Sequence, residues 1–229
     1  MACRPVYEAI NVKPFFRVVD TEFVFYSGFA LSRIQKSIIS LHEAYCKAKD
    51  CEPKEILEIS TKSPSLLGTS MSAFNLDYSM YNGQSRKVEV VYQSSKCFEN
   101  GQQYIDLLEK TCADAKHDER LRNSGKITGF RLGGVEYPTE PVNAFYDWLY
   151  ISALLQNGFD NKLTGYKAFT DIAFNPHKSI NNQARSTAIF VGLCNAGIIN
   201  DIMKDYEYFL SSVYETAETT QQISIWDCL

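Results

Sequence analysis

The apolar residues of the chain recur every three or four positions in several stretches, a spacing that places them on one face of a helix. The stretch Leu31–Lys49 shows this spacing clearly, and Pro53 follows it as a helix terminator. The pattern predicts five helices, over Leu31–Lys49, residues 96–116, residues 141–155, Gln183–Asn195 and residues 205–217. In the second of these helices, Ile105, Leu107 and Leu108 are the expected core positions.

Strands are predicted where Phe, Val and Ile cluster, over residues 15–26 and 56–61. Gly133 and Gly134 separate two short apolar runs within residues 127–137, as in a hairpin with a two-residue turn. The pattern predicts an α+β fold, a mainly helical single domain with short strands and hairpins, over residues 1–229. Within it we expect an N-terminal strand and helix segment over residues 1–54 and an acidic C-terminal helix and tail over residues 200–229.

The charge balance speaks against a protein that holds nucleic acid along an extended groove. The formal net charge is −4, whereas affinity for DNA normally comes from a basic stripe. From Asn200 onwards the acidic side chains face a single lysine, Lys204. We therefore expect any nucleic acid to bind through a small local site.

Neither a membrane segment nor a metal site is predicted. No apolar run is long enough to span a bilayer and the first residues lack a signal-peptide core, so we expect a cytoplasmic protein without a membrane partner. The seven cysteines are scattered and none forms a Cys-x-x-Cys pair, which predicts reduced, mostly buried thiols, no metal and no cofactor. His42, His117 and His177 match no catalytic pattern, and His42 is expected to be structural.

Candidate chemistry is concentrated between Leu67 and Lys96. Glu89, Gln93 and Lys96 follow one another at spacings of four and three, which places them on one face of a helix. An acid, an amide and a cation aimed at one point can grip and polarise a phosphorylated, polyhydroxylated ligand. The alternative is an ordinary exposed Glu–Lys face.

A second candidate site lies where a polar loop runs into an apolar helix, between Asp171 and Ala184. The start of a helix offers free N–H groups and a positive dipole end, which suit an anion or a phosphate. Asn181 could contribute to such a site, or it could be only the N-cap of the helix. Asp171 could likewise serve only to cap or turn the loop.

The two stretches together resemble the NADAR family. The family's Ser-Asn-Phe box corresponds to Ser72-Ala73-Phe74, with alanine in place of the asparagine. The glycine that follows the box corresponds to Gly83. The family's Glu-x-x-x-Gln-x-x-Lys segment corresponds to Glu89, Gln93 and Lys96, with the same spacing.

The later part of the family pattern is present with three departures. The family's Asp-x-x-Trp-Gly loop corresponds to Asp171, Phe174 and Asn175, so that phenylalanine replaces tryptophan and asparagine replaces glycine. The closing Asn-x-x-Gly corresponds to Asn181 and Ala184. If the family's tryptophan stacks on a base, Phe174 or Trp148 would have to do so here, although Trp148 could equally be a core residue.

The chain looks more specifically like the NADAR antitoxins encoded beside DarT-type DNA ADP-ribosyltransferase toxins. The resemblance runs from Phe23 to Leu210, with matching phrases at residues 35–38, 60–63, 72–76, 145–149 and 169–172. It implies an ADP-ribosyl hydrolase that removes ADP-ribose from the exocyclic amine of guanine. The implied partners are ADP-ribosylated single-stranded DNA, ADP-ribose and a cognate DarT-type toxin. A modified base on a single strand is easily presented to a pocket.

The expected reaction assigns roles to three residues. Breaking an N-glycosidic bond builds positive charge on the ribose, which a carboxylate can stabilise. Glu89 is the first candidate and Asp171 the second, because two carboxylates in one pocket leave one of them protonated and able to act as an acid. Alternatively, a lysine can form a Schiff base with the opened ribose. Many NADAR members place a lysine where this chain has Lys62, six residues before Gly68.

The remaining candidates are expected to bind the substrate. Lys96 is the other candidate for the Schiff base, although it is expected instead to pair with Glu89 or with a phosphate. The complete set of expected substrate-binding residues is Gly68, Ser72, Phe74, Gln93, Lys96, Trp148, Phe174 and Asn181.

Two other functions remain open at this stage. One is a non-catalytic antitoxin that binds and blocks its toxin, which differs from a hydrolase in releasing no ADP-ribose from modified DNA. The other is an N-glycosidase of small metabolites, against which a neighbouring toxin gene would argue.

Overall fold

The structure is a computed structural model, and it describes residues 1–174 and 181–214. Its strands are β1 (Ala2–Ala9), β2 (Phe16–Phe23), β3 (Ile56–Glu58), β4 (Asp77–Ser79), β5 (Ser85–Lys87), β6 (Lys96–Phe98), β7 (Ile127–Leu132), β8 (Val135–Tyr137) and β9 (Ala168–Thr170). Its helices are α1 (Leu31–Lys49), α2 (Leu66–Ser70), α3 (Val88–Ser95), α4 (Cys112–His117), α5 (Arg120–Asn123), α6 (Ala144–Gln156), α7 (Gln183–Asn195), α8 (Ile199–Ile202) and α9 (Tyr206–Val213). Helices and short strands are mixed along the chain, so the predicted α+β class is confirmed.

A four-stranded sheet in the order β2-β1-β9-β3 lies between two apolar clusters. Strand β1 is antiparallel to β2 and β9, and β9 is parallel to β3. Successive side chains of a strand point to opposite faces of the sheet. Accordingly, Val6 packs with Ile38 and Leu41 of α1, whereas Tyr7 belongs to the larger cluster that contains α6 and α7. The segment of residues 1–54 thus supplies two strands and one helix of this layered arrangement.

Helix α7 lies very close to the loop that connects β1 and β2. A side chain at Gly192 would collide with the carbonyl oxygens of Ile10 and Phe15. Glycine is needed here for close approach between a helix and a backbone segment.

A buried ionic group joins α6, α7 and the end of α9. Asp147 is fully buried and accepts hydrogen bonds from Arg185, from the Ser186 hydroxyl at 2.5 Å and from the Tyr214 hydroxyl. Removal of one partner from a buried ion pair is strongly destabilising, by about 3–5 kcal/mol. The group therefore holds together the two helices on which much of the core is built.

Several predicted elements are confirmed. Helices α1 and α7 have the predicted bounds, and β7 and β8 form the hairpin expected around Gly133 and Gly134. Strands β2 and β3 lie within the two predicted strand segments. Helix α6 begins at Ala144, and α9 covers the predicted last helix as far as Val213. Residues 215–217 of that prediction, and the tail beyond them, lie outside the described residues.

The single helix predicted over residues 96–116 is wrong. The segment begins as strand β6, turns at Gly101 with a φ of 79°, passes through a 3-10 turn over Ile105–Glu109 and ends in the short helix α4. Cys97 pairs with Gly129 of β7, so pairing with a distant strand overrides the local helical spacing. Of the three expected core residues, Leu107 is buried, Leu108 is half-buried and Ile105 is 62% exposed.

The prediction of mostly buried thiols is also wrong for the described cysteines. Only Cys46 among them is buried, and Cys3 is exposed. Cys228 lies outside the described residues. No helix in the described ranges is both long enough and apolar enough to cross a bilayer.

Candidate functional site

The side chains of Glu89, Gln93 and Lys96 form a hydrogen-bonded row along α3. Gln93 donates from Nε2 to Oε1 of Glu89 at 2.9 Å, and Lys96 donates from Nζ to Oε1 of Gln93 at 2.6 Å. Lys96 is the C-cap of the helix, and its side chain continues the row from the first residue of β6. Glu89 is 6% exposed and Gln93 is 7% exposed, so this is not the solvated Glu–Lys face of an ordinary surface helix.

Burial changes the acid–base behaviour of Lys96. Burial is the main reason that the pKa of the Lys96 ammonium is lowered to about 8. The charge of Glu89 acts in the opposite direction, and the charge of Lys116 lowers the pKa further. The ammonium also lies 4.8 Å from the centroid of the Tyr92 ring, within the range of a cation–π contact. Lys96 is therefore partly deprotonated in mildly alkaline solution.

Lys116 joins this row from helix α4, and no sequence pattern indicated this. Its Nζ lies 4.0 Å from Oε1 of Glu89 and 5.1 Å from the centroid of the Phe74 ring. Phe74 is half-buried, so one aromatic face and two ammonium groups lie around Glu89. Such a group suits an anionic ligand that carries a flat ring.

Asp171 follows strand β9, and its carboxyl group differs from that of an ordinary surface aspartate. Burial, and then the negative charge of Glu58, raise the pKa of Asp171 to about 7. A carboxyl group of this kind can hold a proton near neutral pH and deliver it to a substrate.

Glu58 is the buried neighbour of Asp171 and was not identified from the sequence. It is 1% exposed and accepts hydrogen bonds from Thr170 Oγ1 at 2.6 Å, Ser60 Oγ at 2.7 Å and the amide of Ile172 at 2.9 Å. Burial raises the pKa of Glu58.

His42 closes the same network from α1. Its Nε2 lies 2.8 Å from Thr170 Oγ1, and because that hydroxyl donates to Glu58, the imidazole donates to the hydroxyl. Burial lowers the pKa of His42 to about 4, so the ring is neutral at physiological pH. This placement agrees with the structural role expected for His42.

One glutamine joins the two candidate sites that the sequence presented separately. Gln183 accepts from the amide of Ala73 at 2.9 Å and donates to Oδ2 of Asp171 at 3.1 Å. Ala73 in turn accepts from the amide of Glu89 at 3.0 Å. Three consecutive hydrogen bonds thus connect the backbone of Glu89 with the carboxylate of Asp171. The sequence shows Gln183 only as the first residue of a helix, with no signal of this role.

Tyr146 of α6 is within electrostatic range of both carboxylates. Burial raises the pKa of its hydroxyl well above the usual value, and the charges of Glu89 and Asp171 both add to this effect. Asn181 reaches the same region, because it makes a side-chain hydrogen bond with Tyr92. The structure therefore places Glu89, Asp171 and Asn181 around one group of aromatic residues.

Gly68 and Ser72 shape the segment before Phe74. A side chain at Gly68 would collide with the carbonyl oxygen of Glu58 and with Ser63, so glycine lets α2 lie against the end of β3. Ser72 is 2% exposed, and its hydroxyl accepts from the amide of Phe74 at 3.5 Å. Gly83 has a φ of 78° and lies in the turn between β4 and β5.

Lys62, Phe174 and Trp148 have different surroundings. Lys62 is exposed on the loop after β3, and its amine has no hydrogen-bond or ion-pair partner among the described residues. Phe174 is half-buried, and its amide donates to the carbonyl of Asp171 at 3.1 Å. Trp148 packs against Tyr206 and Phe209 of α9, with ring centroids 5.6 and 5.5 Å away, as a core residue would.

The N-cap of α7 is Asn182, so the suggestion that Asn181 caps the helix is wrong. The Asn182 side chain accepts from the amide of Arg185 at 3.1 Å. Asn175 and His177 lie outside the described residues. Within the described ranges, no three His, Cys, Asp or Glu side chains are grouped so that they could hold a metal ion.

Comparison with known families gives one match that covers most of the chain. The model of a family described as DarT1-associated NADAR antitoxin matches residues 2–223. No curated protein matches the chain.

Proposed function

Because the chain belongs to the family of DarT1-associated NADAR antitoxins, we propose that it removes ADP-ribose from guanine bases of DNA. The chain is an antitoxin, and a DarT toxin is its counterpart. The proposed reaction is hydrolysis of the N-glycosidic bond between the anomeric carbon of ADP-ribose and the exocyclic amine of guanine. Hydrolysis would reverse the damage instead of blocking the toxin.

One observation carries this proposal. Hydrogen bonds through Ala73 and Gln183 link the backbone of Glu89 to the carboxylate of Asp171, and the charges of both carboxylates act on the Tyr146 hydroxyl. Glycosidic cleavage commonly uses a pair of carboxyl groups with different protonation states. A pKa of about 7 at Asp171 supplies a carboxyl group of which a large share is still protonated near neutral pH.

In the direct route, each carboxyl group handles one proton. Asp171 donates a proton to the guanine amine as the carbon–nitrogen bond breaks. Glu89 accepts a proton from the water molecule that adds to the anomeric carbon, and its charge stabilises the positive ribose. Transfer of the proton from Glu89 back to Asp171 through solvent restores the starting state.

The covalent route uses Lys62. The ribose ring opens, so that the anomeric carbon becomes an imine of the guanine amine. The Lys62 amine adds to that carbon and the guanine amine leaves with a proton, which produces a lysine imine. Water then hydrolyses the imine, and the released aldehyde closes again to ADP-ribose. Lys62 is exposed on the loop after β3, so a substrate can reach its amine.

The cationic residues suit the diphosphate of the ligand. Lys116 lies next to Glu89 and Lys96 next to Gln93 in the row described above, and Phe74 offers a ring face beside Lys116. We assign phosphate contacts to the two ammonium groups and stacking on a base to Phe74. Gln93 orients Glu89 and Lys96 with respect to each other, since it bonds to both.

The deciding experiment measures free ADP-ribose. The purified protein is incubated with a single-stranded oligonucleotide that carries ADP-ribose on guanine, and Glu89→Gln serves as the inactive control. Release by the wild type alone is the expected result. If neither protein releases ADP-ribose but the wild type still suppresses the purified toxin, the chain is a non-catalytic antitoxin. If ADP-ribosyl-guanine is inert and small N-ribosides are cleaved, it is a metabolite N-glycosidase.

A further inference from the structure

Two segments that contain no acidic residue meet at the surface of the chain, at Gln35 and Lys62. The chain has 27 aspartates and glutamates, yet residues 23–42 and 59–76 contain none. Gln35 of the first segment donates to the carbonyl of Lys62 in the second at 3.5 Å. The second segment reaches the candidate site, because Gln183 donates to the carbonyl of Ile59 as well as to Asp171.

The first segment exposes aromatic rings. Phe29 is fully exposed and Phe25 is 47% exposed, in the connection between β2 and α1. The connection is held against α1, because the amide of Tyr26 donates to the Ser37 hydroxyl at 2.9 Å. Several exposed aromatic rings on one short segment, unlike singly scattered apolar side chains, commonly mark a binding surface.

Two cations accompany these rings at the start of α1. Arg33 and Lys36 are three residues apart and therefore lie on the same side of the helix. Both are exposed, and the Lys36 ammonium lies 5.2 Å from the centroid of the Tyr26 ring. We call Phe25, Phe29, Arg33 and Lys36 the aromatic strip.

We propose that the aromatic strip binds the single-stranded nucleic acid that flanks the modified base. This proposal rests on the proposed function, because it extends the substrate beyond the base. Stacking of bases on exposed aromatic rings, together with cations that follow the phosphates, is the usual means of binding single strands without sequence preference. The lack of acidic residues in both segments removes the repulsion that a polyanion meets elsewhere on this negatively charged chain.

The binding test uses a fluorescein-labelled oligo(dT) and measures fluorescence anisotropy. Phe29→Ala should weaken binding about 10-fold, because one stacked base is lost. Lys36→Ala should lower the salt dependence of binding, by about 0.7 in the slope of log K against log salt. Tyr81→Ala, which removes another strongly exposed aromatic ring in the β4–β5 turn, should leave binding unchanged.

Lys47 provides the matched control for Lys36. It is an exposed lysine of the same helix, eleven residues further along and about 16 Å away. Lys47→Ala should leave both the affinity and the salt slope unchanged. Equal losses in Lys36→Ala and Lys47→Ala would show only a general effect of net charge and would overturn the proposal.

A second measurement separates this proposal from the proposed function. Release of ADP-ribose is compared between a modified oligonucleotide and ADP-ribosyl-guanosine monophosphate. Phe29→Ala should raise KM for the oligonucleotide alone. If the wild type releases no ADP-ribose but binds oligo(dT) through the aromatic strip, the proposed function is wrong and the binding proposal is supported. If release is normal while Phe29→Ala binds oligo(dT) like the wild type, the strip proposal fails. Loss of toxin binding with unchanged oligo(dT) binding would identify a protein interface instead.

Discussion

Gln183 holds Asp171 by a hydrogen bond of 3.1 Å from its side-chain amide to the carboxylate. The same nitrogen donates to the carbonyl of Ile59 at 2.7 Å, and the Gln183 oxygen accepts from the amide of Ala73 at 2.9 Å. One side chain therefore fixes Asp171 relative to strand β3 and to the segment that carries Phe74. If catalysis depends on the placement of two carboxylates, Gln183 is a positioning residue for one of them.

We expect Gln183→Ala to lower kcat about 10–100-fold with a smaller change in KM. The hydrogen bond from Gln183 lowers the pKa of Asp171, so its loss should also move the alkaline limb of the pH–rate profile to higher pH. Gln156→Ala is the matched control, because the Gln156 side chain likewise bonds to a backbone segment, at Ser79 and not at Asp171. A lower rate with an unmoved pH limb would assign Gln183 a purely structural role.

The pH dependence tests Asp171 itself. Burial and the charge of Glu58 raise its pKa to about 7, so the protonated form persists in the folded protein at pH values where an ordinary aspartate is ionised. If this proton is delivered to the guanine amine, kcat should fall as the pH rises through about 7. Because the pKa of Asp171 is higher in the folded protein than in the unfolded chain, its contribution to the free energy of unfolding decreases as the pH rises from about 4 to about 7.

Asp171→Asn directly tests whether Asp171 causes the decrease in kcat at alkaline pH, the alkaline limb of the pH–rate profile. It should remove the alkaline decrease in kcat and leave a low rate that does not depend on pH in this range. Rates measured between about pH 5 and 9 would decide the matter. An unchanged limb in the variant would mean that another group supplies the proton.

Glu89→Gln tests the other carboxylate. The substitution preserves shape and removes the charge, and we expect the rate of ADP-ribose release to fall about 10²–10⁴-fold. Glu136→Gln, which alters an exposed glutamate paired with Arg131, should retain the wild-type rate. A folded Glu89→Gln protein with nearly full activity would refute the role of Glu89.

The elements that the sequence predicted are those in which local pattern and tertiary structure agree. Helix α1 has a regular apolar face, and the Gly133-Gly134 turn suits both flanking strands, so each prediction was correct. Strand β1 was missed because its sequence contains Arg4 and Pro5, and proline is unusual within a sheet. Proline is tolerated there because β9 pairs only with Tyr7 and Glu8 of β1.

Spacing alone predicted only the part of the candidate site that lies along helix α3 and its C-cap. Glu89, Gln93 and Lys96 can be recognised from spacing alone. Lys116 and Gln183 approach them from α4 and α7, and only tertiary packing creates those contacts. Asp171 was identified from the family resemblance. The buried Glu58, which raises the pKa of Asp171, could be found only in the folded chain.

Chelation provides a simple test of the chemistry. No group of three His, Cys, Asp or Glu side chains in the described ranges is arranged to hold a metal ion. Acid–base chemistry at Glu89 and Asp171 requires none, so we expect EDTA to leave the rate of ADP-ribose release unchanged. Loss of activity that is restored by magnesium or zinc would contradict this expectation.

Reductive trapping distinguishes the covalent route from the direct one. Borohydride added during turnover reduces an imine to a stable amine, so attack by Lys62 should leave ADP-ribose covalently attached to the protein. We expect this adduct on Lys62, whose amine is exposed, and not on Lys96, which donates to Gln93. Intact-mass and peptide mass spectrometry would locate it.

Two lysine variants complete this test. Lys62→Arg retains a cation but cannot form an imine, so it should abolish both the adduct and turnover. Lys96→Arg should raise KM more than it lowers kcat, because Lys96 is assigned to phosphate binding. Full activity in Lys62→Arg would exclude the covalent route. Direct attack by water, with Glu89 as base and Asp171 as acid, would then be the remaining mechanism, and the alkaline limb set by Asp171 should persist in that variant.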